Sequence, residues 1–199
     1  MCGIIGVFDD AESVQKVLSG LKIISDRGKD GYGIYCPGSE VEFSKSLDKL
    51  SKTTAVGTEC IGHCLHSIVG FVPQPLKNIG VLVANCEIYN WEELDDHYGL
   101  GAKNDSDMLL KILNLRGPGE LLGLLDELDG VYAFAYWRDN KVYICRDIIG
   151  VKPVWYSTSK GLGFCSERKA LEADGFTDVK ELNPREVLVY DVDKKKVKF

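Results

Sequence analysis

This sequence predicts an α+β fold in which helices pack outside antiparallel sheets. Strand-like stretches outnumber helical ones, they follow the order strand, helix, strands, helices, strands, and polar turns join neighbouring strands as hairpins. No internal repeat, low-complexity segment or interdomain linker interrupts the 199 residues, so one domain over 1–199 is expected, long enough to bury a substantial core.

Residues 2–8 read as a buried strand, apolar on both faces, with Gly3 and Gly6 permitting the close approach of another backbone or a ligand. Over 11–25, Val14, Val17, Leu18, Leu21 and Ile24 recur at helical spacing; Asp9 with Glu12 fits a cap at the start, and Gly28 ends the helix. The next stretch, 27–35, sets Gly28, Gly31 and Gly33 around Arg27 and Asp30. It reads either as a surface turn with solvated charges or as a loop that carries Arg27 to the N-terminal thiol.

A short strand at 41–43, a short helix at 46–52 and a strand-like run at 61–70 follow. In that run the period of two places His63 and Cys64 on opposite faces, and His63 reads as a buried, hydrogen-bonded histidine. Gln74 between Pro73 and Pro75 marks an irregular loop. The strand 81–84 is expected to deliver Asn85 at its end, either as a turn residue or as an amide donor beside backbone N–H groups, the arrangement a developing oxyanion needs. A helix is expected at 92–98, and Asn104-Asp105-Ser106-Asp107 reads as a capping stretch, Asp105 included, for the helix carrying Met108, Leu109, Ile112 and Leu113. Leu121, Leu122, Leu124, Leu125 and Leu128 make a further core-facing helix. Strands at 131–138 and 141–147 join through Asp139-Asn140, strands at 152–157 and 161–166 follow, and a hairpin over 186–199 closes the chain.

Composition narrows the class. With 45% hydrophobic and 27% charged residues, and no apolar run near the ~20 residues that span a bilayer, no membrane partner is expected. No basic segment precedes Cys2 and Asp9 and Asp10 come early, so no signal peptide is expected and the cytoplasm is the expected compartment. A net charge of −6 without a basic patch argues against nucleic acid. The seven cysteines form no paired CxxC set; Cys60 and Cys64 with His63 and His66 lack the second ligand pair of a structural zinc site, so free thiols are expected, with no metal and no cofactor.

The chemistry gathers at Cys2. Removal of Met1 would put a thiol and a free α-amino group on one carbon. A free thiol titrates near pH 8.5 and an α-amino group at about 7.7 to 8.0, so the amine is poised to take the thiol proton. The terminus would then carry its own base.

These stretches together resemble the class II glutamine amidotransferase domain, an N-terminal-nucleophile (Ntn) hydrolase family, and the glutaminase half of glutamine-dependent asparagine synthetase in particular. The opening Cys2-Gly3-Ile4-Ile5-Gly6-Val7-Phe8 is similar to the family's start. Arg27-Gly28-Lys29-Asp30-Gly31 resembles Arg-Gly-Pro-Asp-Gly, and Asn85-Cys86-Glu87-Ile88-Tyr89-Asn90 resembles Asn-Gly-Glu-Ile-Tyr-Asn. The block at 128–135, Arg146-Asp147 through Pro153, and Ser166-Glu167-Arg168 match distal blocks in the same order. The resemblance implies a four-layer αββα sandwich with two antiparallel sheets, and cleavage of glutamine's side-chain amide through a thioester on Cys2. It further implies Asn85 and the backbone N–H of Cys86 as the oxyanion hole, Arg27 as the residue holding the N-terminal site, and Glu87, Asp105, Ile68 and Val69 as substrate-binding positions.

Two departures stand out. In Gly62-His63-Cys64-Leu65, Leu65 occupies the place of the family's Arg, which clamps the substrate α-carboxylate; His66, one residue on, is expected to point to the other face. Cys86 replaces a Gly. The residues for bond breaking are all present while recognition has changed, which leaves three readings open: a glutaminase, an amidase for a different amide, or a regulatory or binding subunit without hydrolysis. The 199 residues contain no Ser-Gly-Gly-x-Asp phosphate loop, so a separate ATP-dependent synthetase subunit is the expected partner, with a sequence that is part of a longer chain as the competing explanation.

Overall fold

The computed structural model describes residues 1–68 and 70–199. Their strands form two antiparallel sheets. The seven-stranded sheet runs, edge to edge, β11 (Lys180–Glu181), β9 (Trp155–Ser157), β10 (Leu162–Cys165), β1 (Gly3–Phe8), β4 (Glu59–Leu65), β2 (Gly31–Tyr35) and β3 (Glu42–Ser44). The six-stranded sheet runs β13 (Lys196–Lys198), β12 (Leu188–Asp191), β8 (Lys141–Arg146), β7 (Gly130–Arg138), β6 (Val81–Ile88) and β5 (Leu76–Lys77). Helices α1 (Ser13–Ile23), α2 (Leu47–Leu50) and α6 (Arg168–Ala173) cover the first sheet; α3 (Trp91–Tyr98), α4 (Asp105–Arg116) and α5 (Leu121–Glu127) cover the second.

Because a strand's side chains alternate between faces, each strand feeds two cores. On β1, Ile5 and Val7 pack under α1 while Ile4 and Phe8 enter the gap between the sheets. On β6, Val81 and Val83 face that gap while Leu82 and Ala84 face the second helix layer. The result is the four-layer αββα sandwich. Helix α1 has only 11 residues, short of the ~12–15 that persist alone in water, and is held by burial of Val14, Val17 and Leu21 together with Ile24 just beyond its end, each contributing about 1.5–3 kcal/mol.

The structure corrects several local expectations. Strand β6 does not stop at Ala84 but continues to Ile88, because it stays in register with β7 as far as Ile88 opposite Gly130. Strand β4 ends at Leu65 rather than near Gly70, where its pairing with β1 and β2 runs out. The start of α1 carries no side-chain cap; Asp10, not Asp9, accepts a hydrogen bond from the Glu12 N–H, at 2.8 Å. Asn104 alone caps α4, accepting from the Asp107 N–H at 2.9 Å, which places Asp105 in the first turn. On α5, Leu121 and Leu124 are buried while Leu122 faces solvent. The Asp139-Asn140 hairpin forms as expected, both residues taking positive φ (52° and 55°) as a type I′ turn requires.

Candidate active site

Strand parity assembles the site. Cys2 shares the parity of Ile4 and Phe8, Asn85 that of Val81 and Val83, and Leu65 that of Ile61, so all three are directed into the gap between the sheets. There they line one cavity of about 300 Å³, with Met1, His66, Ile68, Cys86, Glu87 and Asp105 also on its wall. Of the residues expected at the site, Val69 lies outside the described residues, and Arg27 sits behind the cavity wall.

The N-terminal strand is tied down by Ser166 and Arg27. Ser166 bonds Ile4 twice: its hydroxyl accepts from the Ile4 N–H at 3.0 Å, and its N–H donates to the Ile4 carbonyl at 2.9 Å. Arg27 donates through Nε to the Cys2 carbonyl at 3.0 Å and pairs through Nη1 with Glu167 at 3.4 Å. The glycine-rich stretch thus runs from the turn carrying Arg27 into β2, and its glycines serve close approach rather than unusual dihedrals. A Cβ at Gly28 would lie 2.5 Å from the Leu65 carbonyl, and one at Gly33 2.0 Å from the Gln74 carbonyl oxygen.

The Cys2 thiol meets the backbone of His66, whose N–H donates to Sγ at 3.3 Å. Burial holds the thiol pKa above the ordinary range, opposed by that N–H, so the sulfur is protonated at neutral pH and needs a base to become a nucleophile. His66 itself lines the cavity. The alternation expected to turn it away ends with β4 at Leu65, and its imidazole Nδ1 stands 3.7 Å from an Asp30 carboxylate oxygen.

Asn85 is buried, and its side-chain Nδ2 has no partner among the described residues. An unpaired buried amide donor is costly unless a ligand satisfies it. The preceding residue is clamped: the Ala84 N–H donates to Gln74 Oε1 at 2.7 Å, Gln74 Nε2 returns a bond to the Ala84 carbonyl at 3.2 Å, and His63 Nε2 donates to the same carbonyl at 3.0 Å. His63 is fully buried, which pulls its pKa down to about 4 and keeps it neutral. Cys64 points the other way, toward the Ile24 carbonyl, and no group of three His, Cys, Asp or Glu among the described residues is placed to hold a metal.

At the far wall, Asp105 accepts from the Ile88 N–H at 3.3 Å and the Ser106 N–H at 2.8 Å. Burial nonetheless raises its pKa, since no cation among the described residues pairs with it. Glu87 is already neutralised by Lys152, at 2.8 Å. Lys152 is buried, delivered by a loop in which Asp147 accepts from the Val151 and Lys152 N–H groups while Arg146 Nε donates to the Lys152 carbonyl. Cys86 is half-buried on the helix-facing side of β6; burial and the Asp105 carboxylate push its thiol well above the ordinary range, so it is no competing nucleophile.

Sequence reasoning missed Gln74, Lys152 and Glu167. The one available signal for Gln74 was its place between two prolines; Lys152 and Glu167 lay within matched blocks but carried no individual mark.

Comparison with known proteins bears on this geometry. Residues 1–196 match the family model described as a glutamine amidotransferase domain. The chain is 30% identical over 221 residues to a putative glutamine-hydrolysing asparagine synthetase 1 of Methanocaldococcus jannaschii, covering 97% of this chain and 39% of that protein. It is also 30% identical over 228 residues to an amidophosphoribosyltransferase of Mycobacterium leprae, covering 96% and 41%. The chain thus spans about two fifths of the length of these curated relatives. Among solved structures, the glutamine phosphoribosylpyrophosphate amidotransferase of B. subtilis aligns with a TM-score of 0.82 at 23% identity, over 99% of this chain and 48% of that one.

Proposed function

We propose, from the premise that this chain belongs to the glutamine amidotransferase domain family, that residues 1–199 act as one domain releasing ammonia from the side-chain carboxamide of glutamine or a glutamine derivative. Removal of Met1 frees the Cys2 amine, which takes the proton that burial keeps on the thiol. The sulfur bonds to the amide carbon, the carbon–nitrogen bond breaks, and the amine passes the proton to the leaving ammonia. Water then cleaves the thioester, restoring the thiol and leaving a carboxylate.

The observation that carries this reading is the Nδ2 of buried Asn85, without a partner among the described residues, in the same cavity as Cys2. It is a donor held ready for the oxygen that becomes negative during attack, with the Cys86 N–H as its companion. Arg27 keeps the nucleophile's own carbonyl in place, and Asp105 offers a carboxylate for a substrate ammonium. The ammonia would pass to an ATP-dependent synthetase partner; the asparagine synthetase relative extends well beyond the length matched here.

Intact mass of the purified protein, with ammonia release by wild type and Cys2→Ala, tests the reading. Loss of Met1 together with turnover that disappears in Cys2→Ala is expected. A retained Met1, or ammonia release that survives the substitution, would sink it.

A further inference from the structure

The cavity wall is unbalanced in charge. Asp105 contributes a carboxylate with no cationic partner among the described residues, and Glu87 is engaged by Lys152 at 2.8 Å. No Lys or Arg side chain lies among the described residues that line the cavity. Its one imidazole, His66, has Nδ1 3.7 Å from Asp30, so even a protonated His66 is already compensated. Both Ser67 donors beside it are used: the Ser67 N–H bonds Asp30 at 2.7 Å and the Ser67 hydroxyl bonds the Gly70 carbonyl at 2.6 Å. On the wall beside Cys2 stands Leu65, 5% exposed, an apolar side chain.

A zwitterionic amino acid entering this cavity would find a carboxylate for its ammonium and, among the described residues, no cationic side chain for its own carboxylate. Desolvating that carboxylate without a partner costs far more than desolvating a neutral carbonyl. Building on the reading of Cys2 as nucleophile, we propose that the preferred substrate is a glutaminyl compound with a free α-ammonium and an uncharged α-carbonyl: an α-amide, or glutamine at the amino terminus of a peptide. Asp105 takes the ammonium, Leu65 lies against the neutral α-carbonyl end, and Asn85 receives the reacting oxygen.

The test compares ammonia release by the Met1-processed protein from L-glutamine, L-glutamine α-amide and the dipeptide glutaminyl-glycine, for wild type and Leu65→Arg. Wild type is expected to favour the two neutral-carbonyl substrates by about tenfold or more in kcat/KM, and Leu65→Arg to shift preference toward glutamine by about 10- to 100-fold, the scale of a charge-assisted hydrogen-bonded pair. Turnover of the dipeptide matching that of the α-amide identifies peptide termini as the source; selectivity for the α-amide identifies a small molecule, and both support the proposal. Glutamine turned over by wild type as well as either neutral analogue would overturn it while leaving the catalytic reading intact, an outcome that does not depend on the variant folding. No ammonia from any of the three would remove both.

Discussion

The side-chain amide of Gln74 makes to Ala84 the paired bonds that a neighbouring strand would make, accepting from its N–H at 2.7 Å and donating to its carbonyl at 3.2 Å. The adjoining strand β5 extends along β6 only as far as Leu76 opposite Leu82, so Ala84 has no β5 residue beside it. Gln74 fills that edge and, with His63, fixes the backbone one residue before Asn85. Gln74→Ala is expected to cost about 1–3 kcal/mol of stability, because a buried N–H and half the bonding of a carbonyl are left open. It should also lower kcat more than it raises KM. A denaturant titration and steady-state ammonia assays check both; unchanged kcat in a folded variant would separate Gln74 from the site.

Asn85→Ala removes a buried amide donor on the wall of the Cys2 cavity that has no partner among the described residues. A fall of about 10² to 10³ in kcat is expected, the usual consequence of losing an oxyanion donor. Alkylation of Cys2 by a small electrophile, which develops no oxyanion, should proceed at nearly the wild-type rate.

Arg27→Lys keeps the charge but cannot reproduce the Nε bond to the Cys2 carbonyl while reaching Glu167. A loss of about tenfold in kcat is expected, the scale of one hydrogen bond near the reacting group. Glu167→Gln should cause a smaller loss in the same direction, and the double variant should lose less than the sum of the two in free energy.

His63 makes stability depend on acid pH. Unfolded, it binds a proton near pH 6.5; folded, only near pH 4. Between those values the unfolded state holds more protons, so its contribution is fully present above about pH 6.5 and fades as pH falls toward 4, by up to about 3 kcal/mol. His63→Gln should flatten this part of the stability profile, measured by denaturant midpoints across that window. An unchanged slope would place the acid sensitivity elsewhere.

Much of the site was legible before any coordinates. Residues 2–8 and 81–84 read as strands and are strands, an extended backbone being a local property; which of their faces meets the helices and which the gap is known only from the packing. His63 read as a buried hydrogen-bonded residue is found as one, while Arg27, expected either in a surface turn or beside the N-terminal thiol, bonds the Cys2 carbonyl. Where local reasoning failed, pairing had intervened: β6 runs on past Ala84 because β7 lies beside it, and β4 stops at Leu65 because its partners end, which brings His66 onto the cavity wall.

What the sequence by itself determined was the buried strand over 2–8, the thiol beside the chain terminus and the absence of a cation at position 65. What only the tertiary structure decided was which distant groups complete the site: Gln74 on Ala84, Lys152 on Glu87, Glu167 behind Arg27. The reason is physical. Alternation follows from each residue's own backbone, whereas these contacts join residues 10, 65 and 140 positions apart and exist only once two sheets and their loops have packed against one another.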